Sequence, residues 1–234
     1  MTKLLKPLAW LALLGFPIAL VLYRFGLINF AQSFKLLIAS GLTAAIVFIL
    51  SVLFSVLKRQ DRVASKAAST AMIIALVPLL GLGSQAFKGR SLPVIHNIST
   101  DPIDPPMFNK VVALRGEGTN PLEYDAQKLA TLQQQAYPNV ATLNLAAPPS
   151  QVFTKVVDLV KASGWEMVSA DQTGLIVEAT DTTRLWQFKD DVVVRIRSRE
   201  QGSIVDMRSV SRIGQSDLGA NAKRIEAFMK RLAK

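Results

Sequence analysis

The chain has 234 residues, half of them hydrophobic, with 27 Lys/Arg against 17 Asp/Glu, a net charge of +10, one histidine and no cysteine. Disulfides, thiolate metal centres and multi-histidine metal sites are thereby excluded. Residues 1–90 hold ten of the basic residues and one acid, Asp61, so the excess charge borders apolar runs as membrane flanks do, and nucleic acid is not an expected partner.

Three uncharged stretches lie in that first third: Pro7–Tyr23, Leu36–Leu57 and Ala67–Phe87. Each is long enough to cross a hydrocarbon core of about 30 Å, which predicts three transmembrane helices within a membrane region 1–90. The first has basic residues before an apolar core, like a secretory signal, but no small-x-small cleavage site follows and it is expected to be retained. The third is interrupted by Ser69, Thr70, Pro78, Gly81 and Gly83, so a kinked or short span is expected there. The N-terminus and the loop "KRQDRVASK" together carry six basic residues, against four in the Arg24–Lys35 connection and at Lys88–Arg90. The positive-inside bias then predicts a bacterial inner-membrane protein with a cytoplasmic N-terminus and a periplasmic C-terminal domain. No span contains Asp, Glu, Lys, Arg or His, which disfavours transport. Small residues four apart, Gly15/Ala19, Gly41/Ala45 and Ala71/Ala75, permit close helix approach, either as a self-contained bundle or as a docking face for another membrane protein.

From Ser91 the texture changes. Residues 91–140 contain Pro93, Pro102, Pro105, Pro106 and Pro121 among turn formers, which predicts extended chain and turns, with one helix over Asp125–Ala136. Residues 141–234 form the predicted core of an exterior domain. "TLNLA" reads as a strand and Pro148–Ser163 as a helix with Val152, Val156, Leu159 and Val160 on one face. Strands follow at Trp165–Ala170, Leu175–Thr180, Asp191–Arg197 and Ser203–Ser211, then a helix over Asp217–Leu232. The order β-α-β-β-β-β-α predicts an α+β domain: an antiparallel sheet with two helices on one face.

The last two strands form a basic ribbon. Val192, Val194 and Ile196 alternate with Asp191, Arg195 and Arg197, and Val193 shares the polar side. In the next strand Asp206, Arg208 and Arg212 turn outward, and Glu178 and Thr180 join them from the strand before. Two readings stand for the partner face of Glu178, Arg195, Arg197 and Asp206: exposed cross-strand ion pairs contributing about 0.2–1 kcal/mol each, or a surface that recognises an acidic partner or a lipid head group. Next to it Arg208, Ser209, Ser211 and Arg212 lead through Gly214 to Ser216, Asp217 and a helix N-terminus, which suits an anion; the alternative is that Ser216 or Asp217 simply caps that helix.

Evidence for catalysis is thin, and no catalytic residue or cofactor is assigned. His96 with Asp101 and Asp104 is the one conceivable metal set and lacks a further ligand, so a histidine bonded to local backbone is expected. Ser216 sits in G-x-S-x-x-G, not the G-x-S-x-G of a nucleophile elbow, which argues against a Ser216/His96 couple. Asp190 and Asp191 read as a turn before a strand, with a glycosidase-like pair of carboxylates as the alternative.

Long stretches, "LPVIHNISTDPIDPPMF", "NPLEY", "AYP", "GWEMV", "IVEATDTT", "FKDDVVVRIR" and "VDMRSVSRIGQSDLGANAKRI", resemble the family known as domain of unknown function 1499 across Ser91–Lys234. The resemblance implies a similar α+β domain, often behind membrane helices in proteobacterial members, and no activity to carry over. Two functional classes follow. One is a membrane-anchored, noncatalytic cell-envelope module whose exterior domain binds a protein, lipid or glycan, another envelope protein or a lipid being the expected partner. The other is an envelope hydrolase using His96 with nearby acids, which requires a buried cleft collecting His96 with at least two of Asp101, Asp104 and Ser216.

Overall fold

The computed structural model describes residues 2–234, Thr2 by its backbone alone. The chain divides into two compact units, Met1–Ser91 and Leu92–Lys234.

The first unit is three helices, α1 (Thr2–Arg24), α2 (Phe30–Leu57) and α3 (Arg62–Arg90), each long and apolar enough to cross a membrane. They outrun the uncharged stretches because Lys and Arg are good helix formers whose stems lie along apolar surface while the charge reaches water. Asn29 and Gln32 form a capping box at the start of α2, and the Asp61 carboxylate accepts from Val63 and Ala64 N–H at the start of α3. The expectation of a short third span is corrected: α3 runs unbroken through Pro78 and, at 29 residues, is the longest of the three. Burial along the shared seam falls on small residues, among them Ala9, Ala12, Ala44, Ala68, Ala71 and Ala75. A Cβ on Gly15 would overlap Ser40 Oγ. That close approach lets the Ser33 and Ser40 hydroxyls donate to the carbonyls of Ala19 and Ala12, each at 2.9 Å, so α1 and α2 are joined by hydrogen bonds as well as packing.

The second unit contains β1 (Asn97–Ser99), a 3-10 turn (Val111–Leu114), α4 (Ala126–Ala136), β2 (Leu143–Leu145), α5 (Pro149–Ala162), β3 (Glu166–Asp171), β4 (Ile176–Thr182), β5 (Lys189–Arg199), β6 (Gly202–Ser211) and α6 (Ala220–Leu232). All pairings are antiparallel, in the order β1-β6-β5-β4-β3. β2 also pairs with β6, so β1 and β2 lie in tandem along one edge: Asn97–Ser99 oppose Val210–Arg208 and Leu143–Leu145 oppose Val205–Ser203. Thr100 bridges the gap, its N–H donating to Met207 O and its hydroxyl accepting from Met207 N, both at 2.9 Å. On the outer side of β1 the buried Gln133 amide stands in for a strand, donating to Ser99 O at 2.7 Å and accepting from Ser99 N at 2.9 Å.

The two helices cover one face of the sheet, as the element order predicts. Val152, Phe153, Val156 and Val160 of α5 and Ala222, Ile225, Phe228 and Leu232 of α6 pack on Val177, Val192, Val194, Ile196, Val205 and Met207. The opposite face is not open to water, which overturns the reading of a wet ribbon. Residues 101–124 lie across it as an irregular roof, and Phe108 and Val111 close a second small core with Val193 and Val210. Val193, apparently out of place on the polar side, marks the roofed spot.

Candidate functional site

Beneath the roof the ribbon's charges are paired or hydrogen-bonded at four nodes. The first centres on Asp191, fully buried. Its carboxylate accepts from Arg212 Nε and Nη2 (2.8–3.1 Å), from Arg115 Nη1 and from the Thr180 hydroxyl (2.9 Å). Arg115 belongs to the roof, and burial holds its guanidinium below the usual arginine range although Asp191 opposes that shift. Arg212 also donates to Leu114 O at 2.9 Å, and Asn120 donates to the carbonyls of Ser211 and Gly214.

The second node centres on Asp206, also fully buried. Arg197 Nη2 donates at 2.6 Å and Arg195 Nη2 at 3.3 Å, and the hydroxyls of Thr142 and Thr100 donate at 2.6 and 3.2 Å. Arg195 and Asp206 are opposite one another across β5 and β6. Both arginines reach on to the roof, Arg195 to Asp104 at 2.9 Å and Arg197 to Asp101 at 3.3 Å.

The third is Arg208, 1% exposed, which pairs with no carboxylate among the described residues. Nε donates to Asn97 Oδ1 (3.0 Å), Nη1 to Pro106 O (3.2 Å) and Nη2 to Leu122 O, while Phe108 and Tyr124 lie 5.3 and 5.6 Å from the guanidinium carbon. Burial lowers its pKa to about 10, and burial raises the Tyr124 hydroxyl to about 12 against the pull of the Arg208 charge. The fourth is Glu178, buried, whose two oxygens accept the backbone N–H groups of Asn109, Lys110 and Val111 at 2.9–3.1 Å where the 3-10 turn begins. It makes no ion pair with Arg195, Arg197 or Arg208, contrary to the expectation that they balance it; on its own face it stands opposite Val193.

The constellation Arg208, Ser209, Ser211, Arg212 does not converge. Alternation along β6 sends Arg208 and Arg212 to the roof and both serines to the helices, where Ser209 donates to Asn221 Oδ1 at 2.6 Å and Ser211 Oγ accepts from Asn221 Nδ2 at 2.9 Å. Gly214 turns the chain at φ 89°, and the Ser216 hydroxyl accepts from Leu218 N. The cap of α6 is Gly219, at φ 78°, rather than Ser216 or Asp217. Asp217 nevertheless reaches the helix start, its oxygens accepting from Gly219 and Asn221 N–H at 2.8 Å. Burial, aided by the Asp190 charge, pushes its carboxyl above the usual aspartate range. Asp190 and Asp191 lie inside β5, not in a turn, and alternation separates them: Asp190 faces α6 and accepts from Arg224 at 2.6 Å. Sequence reasoning missed Arg115 and Arg224, whose partners lie 76 and 34 residues away.

His96 is not brought together with Asp101 and Asp104. His96 Nδ1 donates to Gln215 O at 3.2 Å, a backbone carbonyl 119 residues away and not the local one expected, while Asp101 and Asp104 sit with Arg195 and Arg197 beyond the other end of β1. Among the described residues no group of three or more His, Asp or Glu is placed to hold a metal ion. Grooves of about 310 and 490 Å³ lie beside α6, one lined by Lys155, Asp158 and Arg231, the other by Thr142, Glu226 and Lys230, and neither includes His96 or the ribbon. No curated protein matches the chain. The family described as protein of unknown function (DUF1499) matches residues 97–232, from the first strand through the last helix and across every node of the roofed sheet. The chain therefore belongs to the DUF1499 family, with three helices long and apolar enough to cross a membrane ahead of the family domain.

Proposed function

We propose that this protein is a membrane-anchored, noncatalytic module of the bacterial cell envelope, with its C-terminal domain on the periplasmic side of the inner membrane and with a protein as its partner. Orientation follows from the basic loop Lys58–Lys66, which belongs on the cytoplasmic side. The observation that carries the reading is how the roof is displayed. Ile103 is 93% exposed and Met107 70%, on a stretch whose backbone is held from below by Arg195 and Arg208 and whose Asp101 side chain is held by Arg197. Apolar side chains presented to water on pre-ordered chain suit a protein contact, since little conformational entropy remains to be lost on binding. The ribbon's role in this reading is to brace that surface, and the partly exposed Arg197 and Asp104 supply its polar rim.

The test is photo-cross-linking in intact membranes with a photoreactive residue at Ile103, and at Lys155 on α5 as control. A discrete adduct from position 103 and none from position 155 is expected, and mass spectrometry of that adduct distinguishes protein from lipid or glycan. Equal adducts from both positions, or none from either, would sink the reading.

A further inference from the structure

The sheet of the second unit has two edges, and they are finished differently. One is divided between β1 and β2, three residues each, and the Gln133 side chain occupies the outer backbone groups of Ser99. The other is β3, six residues long, which ends the strand order with β4 on its inner side. Register shows which of its groups point outward. Ile196 N–H donates to Leu175 O and Thr183 N–H to Phe188 O, so the odd-numbered residues of β4 bond to β5 and the even-numbered ones to β3. Glu166, Ser169 and Asp171 stand opposite Thr180, Glu178 and Ile176 and take those bonds. Ala170, opposite Val177, therefore turns its N–H and C=O away from β4, and among the described residues nothing hydrogen-bonds to either. Its side chain is exposed too.

An open strand edge offers donors and acceptors at the spacing of another extended backbone and of little else. The side chains of β3 narrow the choice. On the roofed face, shared with Thr180, Glu178 and Ile176, β3 carries Glu166 and Asp171; on the helix-covered face Met167 and Ala170 lie opposite Ala179 and Val177 and continue the apolar core outward. The one ion pair of Glu166 among the described residues is with Lys189, at 3.9 Å with the two side chains 65% and 46% exposed, too loose to cancel its charge. A second copy of this chain is disfavoured by the same charges. Antiparallel β3–β3 pairing centred between Val168 and Ser169 sets Glu166 against Asp171, and the register shift between Met167 and Ser169 interrupts the ladder.

We propose that β3 accepts an added strand from a partner protein: a short extended segment in which Lys or Arg alternates with apolar residues, its cations facing Glu166 and Asp171 and its apolar side chains lying beside Met167 and Ala170. The Ala170 N–H and C=O make the first pair of hydrogen bonds to it, and the bulge keeps the paired stretch to a few residues. The site is separate from the roof, so the reading of Ile103 and Met107 as a contact surface stands or falls without it.

The test uses the full chain in dodecyl maltoside micelles, whose uncharged surface does not attract cationic peptides. The probe is a fluorescein-labelled heptapeptide of alternating lysine and valine with lysine at both ends, and the same peptide with glutamate in place of lysine is the control. The lysine peptide should bind saturably by fluorescence anisotropy and the glutamate peptide should not. Exchange of the Ala170 amide, fast in the free chain, should slow by about tenfold or more with the lysine peptide at saturation. Ala170→Pro removes the outward N–H without touching a bond of the native ladder, and should weaken binding by about tenfold or more at unchanged far-ultraviolet dichroism, whereas Ala170→Val should retain it. Glu166→Lys, on an exposed side chain, should weaken binding by about threefold or more, and it reports on the site even if the proline variant unfolds. Equal binding of the two peptides, an Ala170 amide left unprotected with peptide bound, or wild-type affinity in both Ala170→Pro and Glu166→Lys would overturn the proposal, and so would the absence of binding by either peptide.

Discussion

Arg208 is the most demanding residue of the domain. A guanidinium with no carboxylate beside it is kept charged by three oxygens in a fixed fork and by two aromatic faces, an arrangement that an ammonium cannot reproduce because it is a point charge with no planar fork. Arg208→Lys should therefore lower stability by about 3 kcal/mol or more, since a buried charge is left short of partners. Arg199→Gln, at the exposed end of the same ribbon with solvent-exposed bonds to Asn144 Oδ1 and Gln201 O, should change it by no more than about 0.5 kcal/mol. Urea titration of the two variants checks the contrast, and equal losses would mean that the ribbon is not differentiated by burial. The same burial explains why exposed-pair energetics do not describe Arg195, whose carboxylate partner Asp206 is wholly enclosed.

Among the elements, the roof is the one whose position depends most on single side chains, because it has no ladder of its own beyond a four-residue turn. Glu178 receives three consecutive N–H groups from it. Glu178→Ala should leave those donors without acceptors and accelerate amide exchange at Asn109–Val111 by about 100-fold, while amides of β5 keep their protection. Uniform acceleration across the domain would show instead that roof and sheet open as one. The regular elements were legible because their periods are strong: the apolar stripes of α5 and α6 and the alternation of β4, β5 and β6 survive with boundaries moved by at most three residues. β1 was not legible, being three residues long and fixed by its pairing with β6. The roof was illegible as a cover for a more general reason. Asp191, Arg195, Asp206 and Arg208 alternate with apolar residues whether water or protein lies over them, and the roofed core of Phe108, Val111, Val193 and Val210 distinguishes the two cases. The anion-binding expectation at Arg208–Arg212 failed to form a cluster through the same alternation, which parts Ser209 and Ser211 from the arginines.

At the scale of the whole molecule, Leu92–Lys234 has a helix-covered core and a roofed one, both closed within its own residues. A fragment beginning at Leu92 should fold without the membrane helices and give a dispersed amide spectrum; a collapsed spectrum would show that the domain borrows stability from elsewhere. The two faces of the sheet also impose an order of events. The roof is among the first parts of this domain to be synthesised, yet the groups that hold it come at the end: Pro106 waits for Arg208, 102 residues later, and Asp104 for Arg195, 91 residues later. Until β6 is delivered, Phe108 and Val111 lack the Val210 side of their core, so the segment that becomes the roof is an unanchored, proline-rich chain. Its half-life before β6 arrives is then governed by proteases and holdase chaperones rather than by the stability of the finished fold, and mutations that slow β5–β6 pairing will lower abundance even where they leave the native state intact.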